Sequence, residues 1–167
     1  MKAASNPVRW LWLTLAIVLA DRASKYAIEH FTAEGFRRSL IPAFADLVHS
    51  VNSGIAFGLL SDFASRWVSI ALIGSSLVVI FLLGWMLLSG HAGRPESQAG
   101  IALIAGGAAG NLLDRLIHGG VTDFVELRAG SFRWPAFNLA DSAITIGAFL
   151  VIFELLRRER RATRASA

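Results

Sequence analysis

The amino-acid sequence predicts an all-α membrane protein: four transmembrane helices with a small strand-rich element at the outer membrane surface. Three observations carry that expectation. Of 167 residues, 54% are hydrophobic and only 17% charged, where soluble domains carry about 25% charged residues. Residues Trp67 to Leu88 form a stretch of 22 without one charge. At about 1.5 Å rise per residue it reaches roughly 33 Å, enough to cross a hydrocarbon core. Finally, so short a chain cannot bury several helices of this kind in a soluble core. Its length fits one domain, 1–167.

Four spans are expected, at roughly 8–29, 66–88, 97–117 and 137–156. The first begins with Trp10 to Ala20 behind Lys2 and Arg9, a pattern shared with secretory signals. A signal would need small residues at its cleavage site. Asp21-Arg22-Ala23 offers a poor one, and apolar residues resume at Tyr26, so an uncleaved helix is expected. The segment 36–60 mixes apolar residues with Pro42, Gly54 and Gly58 and partly alternates around Leu47 to Val51, as a small strand-rich element would. The segment 118–136 reads as a glycine-containing loop, with Pro135 suited to the first turn of the last helix. Gly106 and Gly110 form a small-xxx-small pair that close helix packing explains.

Orientation follows from Lys and Arg near the span ends. With four crossings, Lys2, Arg9, Arg94 and the five C-terminal arginines share one side; Arg37, Arg38, Arg128 and Arg133 lie opposite, with Arg66 at a boundary. The balance places both termini inside. Trp10, Trp12, Tyr26, Trp67, Trp85 and Trp134 fall near span ends, as interfacial aromatics do.

Intramembrane acids are costly and usually functional. Asp21 lies in the second half of the first span, Asp114 near the end of the third, and Asp141 near the start of the fourth. Because alternate spans run in opposite directions, all three fall toward the outer face, where Asp123 joins them. Asn52, Asn111, Arg115 and Asn138 are their neighbours. Each has a plainer explanation. Asp21 and Lys25, four apart, can pair on a helix; Asn111, Asp114 and Arg115 can form a polar knot between helices; Asp123 can be a loop residue; Asp141 can be a first-turn acid. Four acids converging on one layer are harder to explain that way.

Few chemistries are open to this chain. It has no cysteine, which removes disulfides and thiolate nucleophiles. His30, His49, His91 and His118 form no His-Glu-x-x-His pattern, so no metal is expected. There is no Gly-x-Ser-x-Gly elbow, Ser24 and Lys25 lie on different helix faces, and phosphate loops are absent. No cofactor is expected. The net charge of +4 reflects the basic run Arg157 to Arg164 behind an apolar stretch, a topology signal rather than a nucleic-acid surface. What remains is a pair of aspartates sharing a proton, one activating water and the other protonating the carbonyl or leaving amine.

Five stretches then resemble an ordered motif set: Asp21-Arg22-Ala23-Ser24-Lys25, Asn52-Ser53-Gly54-Ile55-Ala56-Phe57, Gly110-Asn111-Leu112-Leu113-Asp114-Arg115, Val121-Thr122-Asp123-Phe124 and Phe137-Asn138-Leu139-Ala140-Asp141-Ser142. Together they resemble bacterial lipoprotein signal peptidase, signal peptidase II, across nearly the whole chain. The resemblance implies four transmembrane helices, a small periplasmic β-cradle and an aspartyl protease at the outer surface of the inner membrane, with both termini cytoplasmic. Its substrates would be prolipoproteins, cut just before a diacylglyceryl-modified cysteine, amid membrane lipids. By motif position, Asp123 and Asp141 would be catalytic. Asn52, Asn111, Arg115 and Asn138 would bind or position substrate, and Asp21, Lys25 and Asp114 would support the site. Arg22 stands where the family commonly has glutamine, and Ser53 where it commonly has threonine. A proton-coupled transporter would want its acids at mid-membrane, and a phosphatase a denser cationic cluster than Arg115 alone. Oligomeric state is not legible.

Overall fold

The computed structural model describes residues 8–54 and 66–165. In chain order these form α1 (Val8–Phe31), β1 (Arg37–Ile41), β2 (Ala45–Asn52), α2 (Arg66–Leu88), α3 (Pro95–His118), β3 (Val121–Ala129), β4 (Phe132–Phe137) and α4 (Leu139–Ala165). Among the described residues three helices are long and apolar enough to cross a membrane, at Trp67–Leu88, Pro95–His118 and Leu139–Glu159. The other helix, α1, has 24 residues, hence roughly 36 Å of length. It carries Asp21, Arg22, Lys25 and Glu29, and it buries Asp21 and Lys25 completely.

The central helix is α3, which packs against α1, α2 and α4. Its glycines explain how. A Cβ on Gly106 would lie 2.9 Å from the Thr14 carbonyl oxygen, and one on Gly100 would lie 2.8 Å from Val151 Cγ2. Small residues let backbones approach where lipid supplies no hydrophobic drive between helices. The outermost helix is α2, whose Trp67, Phe81 and Trp85 are exposed, consistent with an apolar surface facing lipid.

β1 to β4 make one antiparallel sheet in sequence order. The 118–136 segment is therefore not a loop: after the αL cap at Gly119 it forms most of the β3–β4 hairpin. Pro135 is likewise not in a helix turn but in β4, the sheet edge, where its missing N–H breaks no ladder. Of the strand-rich segment 36–60, residues 55–60 lie outside the described residues.

Asp46 and Glu126 sit directly opposite each other in the β2–β3 register, a pairing that repels unless compensated. Arg37 donates to both, at 2.9 and 2.6 Å, while Arg128 adds a bond to Asp46 (2.7 Å) and Arg133 one to Glu126 (2.8 Å). The bonds from Arg37 hold Glu126 down at about 2. Arg37, Arg128 and Arg133, from three different strands, thus stitch the sheet together.

Candidate active site

The sheet and the bundle meet where β2, β3, the end of α3 and the start of α4 converge. β3 carries Asp123 opposite Ser50 of β2, two residues before Asn52. Asn138 precedes α4 and Asp141 lies in its first turn. Asn138 Oδ1 accepts the Asp141 N–H (2.9 Å), and Asp141 Oδ2 accepts the Asn138 N–H (3.3 Å). This is a reciprocal capping box, satisfying two amides that the helix start would otherwise orphan.

Both carboxylates line one cavity of about 530 Å³, with Asn52, Asn111 and Arg115 also in its wall. Its remaining lining is largely apolar and includes Trp134, Phe137, Ile144 and Ile146. Asp123 Oδ1 accepts from Asn138 Nδ2 (2.7 Å) and Oδ2 from Asn52 Nδ2 (3.3 Å); Asp141 Oδ1 accepts from Asn111 Nδ2 (2.8 Å). Asn52 is oriented by its own turn, since its Oδ1 takes the Gly54 N–H at 2.9 Å. Arg115 reaches the backbone oxygens of Asn111 and Gly54, each at 3.2 Å, tying α3 to the end of β2. Ile55, Ala56 and Phe57 of that motif lie outside the described residues.

Burial, and then the nearby Asp141 charge, push Asp123 up to about 7. A folded-state value above the ordinary 3.8 means the folded protein prefers the proton. The stability Asp123 contributes is therefore full below about 4 and is lost as pH rises through about 7. Wild-type melting temperature in detergent should fall between about pH 5 and about pH 8 by more than that of Asp123→Asn. Parallel pH dependences in the two proteins would contradict this.

Behind the cavity, the Lys25 ammonium ion-pairs with Asp21 (2.8 Å) and Asp114 (2.9 Å) and donates a hydrogen bond to Asn111 Oδ1 (2.9 Å). Asp21 also accepts the Ala140 N–H (2.9 Å), anchoring the start of α4, and Asp114 accepts the Thr122 N–H (3.2 Å), anchoring β3 beside Asp123. All nine residues singled out from the sequence thus fall in one continuous network.

Three of its members were not singled out. Arg22 ion-pairs with Glu29 and donates to Asp114 (2.8 Å), and Thr122 Oγ1 donates to Glu29 (2.8 Å). The seven-residue spacing of Arg22 and Glu29, two turns along one face of α1, was the available signal. Among the described residues, Glu29, Asp114 and His118 bring potential metal-ligand atoms within 4.8 Å of one another. The Arg22 guanidinium already pairs with both carboxylates there.

The sequence profile described as Signal peptidase (SPase) II matches residues 13–157. The chain belongs to the signal peptidase II family. Relatives named lipoprotein signal peptidase, from Burkholderia mallei (strain SAVP1) and Burkholderia cenocepacia (strain HI2424), are each 44% identical over 156 residues, covering 92% of this chain and 90% of theirs. The structure of a bacterial membrane enzyme, solved in meso at 2.3 Å, superposes with TM-score 0.80 at 28% identity, covering 89% of this chain and 88% of its own. A second, at 1.9 Å, gives 0.77 at 28% identity, with 89% and 92% covered. Arg22, one of the two positions where the sequence was expected to depart from the motif, occupies a defined place as a counter-charge to Asp114 and Glu29.

Proposed function

We infer that this chain is a membrane-embedded aspartyl endopeptidase that removes the signal peptide from prolipoproteins, cutting before a diacylglyceryl-modified cysteine. Family membership carries the peptidase activity. The observation supporting the mechanism is the convergence of Asp123 and Asp141 on one cavity of about 530 Å³ with an apolar wall. In this reading Asp123, which burial and the Asp141 charge keep protonated to about pH 7, is the acid and Asp141 the base. Water attacks the scissile carbonyl carbon while Asp141 takes its proton and Asp123 gives one to the carbonyl oxygen. As the tetrahedral intermediate collapses, the C–N bond breaks. The proton on Asp141 passes to the leaving amine, and a hydroxyl proton returns to Asp123. Asn52, Asn111, Asn138 and Arg115 position the dyad and substrate.

The apolar wall, with Ile144 and Ile146 on α4 and Trp134 and Phe137 on β4, suits the acyl chains. Purified protein in detergent should cleave a diacylglyceryl-modified prolipoprotein and leave the unmodified precursor intact on a gel-shift assay. Equal cleavage of both would remove the lipid from the recognition.

The same reading takes α1 as a fourth membrane crossing, with its charges turned into the protein, both termini in the cytoplasm and the dyad at the periplasmic face of the inner membrane. A periplasm-active reporter inserted at the Gly130 turn should then score positive, and one fused after Arg164 negative. The reverse pattern would be incompatible with prolipoprotein processing at the outer face.

A further inference from the structure

Each dyad carboxylate accepts a bond from an asparagine amide, and an amide can face either way. Its N–H₂ faces the dyad only if something else holds its oxygen. For Asn52 that is the Gly54 N–H and for Asn138 the Asp141 N–H, both local backbone groups. Asn111 differs. Its Oδ1 is held by Lys25 Nζ from another helix at 2.9 Å, with a longer bond of 3.2 Å from Asn138 Nδ2. Lys25 is fully buried and is not in the cavity wall, whereas Asn111 is. An ammonium has donors only, so it can face Asn111 in one orientation alone: oxygen toward Lys25, N–H₂ toward Asp141.

We propose that Lys25 is a positioning residue for the proteolytic reaction, acting through the orientation it imposes on the Asn111 amide beside Asp141. This rests on the reading of Asp123 and Asp141 as the dyad. Asp21 and Asp114 hold the ammonium in place, and Arg22, by taking Asp114 Oδ1, leaves Oδ2 to Lys25 and the Thr122 amide. Without the ammonium, only the longer bond from Asn138 Nδ2 holds that oxygen, and Asn111 can turn it toward Asp141. That orientation favours the protonated carboxyl and so opposes its action as base. The other charged groups facing the dyad are Arg115 on α3 and the two aspartates themselves.

Lys25→Met alone strands Asp21 in the interior and risks misfolding. The informative variant is Lys25→Met with Asp21→Asn, which removes the buried pair as a unit, keeps an oxygen for the Ala140 N–H, and leaves Asp114 with Arg22. It should accumulate in the membrane, bind substrate with KM little changed, and lose about tenfold to a hundredfold in kcat, with the acidic limb of its pH profile moved upward. Asn111→Ala should lose a similar factor, and adding it to the Lys25→Met/Asp21→Asn background should cost almost nothing more, since the two act as one unit. Additive losses, or an unmoved pH limb, would reduce Lys25 to a packing residue. Active Asp123→Asn or Asp141→Asn enzymes would instead overturn the dyad itself, so the two failures are distinct.

Discussion

Asp141→Asn and Asp123→Asn should each abolish prolipoprotein cleavage while the protein still accumulates in the membrane. Asparagine matches aspartate in shape and keeps one acceptor oxygen. At position 141 that oxygen can still take the Asn138 N–H that closes the first turn of α4. At position 123 it can still take the Asn138 amide of the shorter bond. What is lost is the exchangeable proton. General acid–base steps are worth roughly 10² to 10⁴-fold each, and here one pair serves both attack and amine departure, so either loss stops the cycle. A gel-shift assay on a lipid-modified substrate reads the result directly. Near-normal turnover by either variant would sink the dyad.

Gly107→Ala should be nearly as damaging, by an unrelated route. A methyl there would run into the Ala140 carbonyl oxygen and lie 2.8 Å from Ile144 Cγ1. Backbone cannot swing aside as a flexible side chain can, so α4 must move, and overpacking of this kind costs about 1–3 kcal/mol or more. The displaced segment starts at Asn138 and Asp141 and includes the Ala140 amide that bonds Asp21. Stability in detergent and cleavage should therefore fall together. Gly84→Ala on α2, where a Cβ would meet nothing within 4 Å, should change neither. A tolerated alanine at Gly107 would show that α3 and α4 can separate without consequence.

The parts of this fold legible in the sequence are those where one physical signal dominates. The charge-free Trp67–Leu88 run marks α2 because lipid forbids charge along a whole helix. Asp21 and Lys25 could be paired from their spacing alone, and they do pair. The second hairpin was hidden because burial along β3 and β4 changes in blocks and does not alternate, and because Pro135 signals a helix start as readily as an edge strand. Asp123 looked like a loop residue for the same reason. Its neighbour Thr122 was invisible because what matters is its contact with Glu29, 93 residues away in sequence. Arg22 showed only as a deviation from a motif, since its partners lie two turns along α1 and across on α3.

The reciprocal bonds between Asn138 and Asp141 have an evolutionary corollary. One carboxylate serves two masters: it nucleates α4 and, in the proposed mechanism, withdraws a proton from water. Glutamate would answer the first demand as well as aspartate, because either acid can return to the cap amide. It would fail the second, because an added methylene relocates the oxygens relative to Asp123. Drift at position 141 is thus narrower than helix formation alone requires. Any descendant that relinquished peptide hydrolysis could keep this architecture intact while exchanging that single side chain.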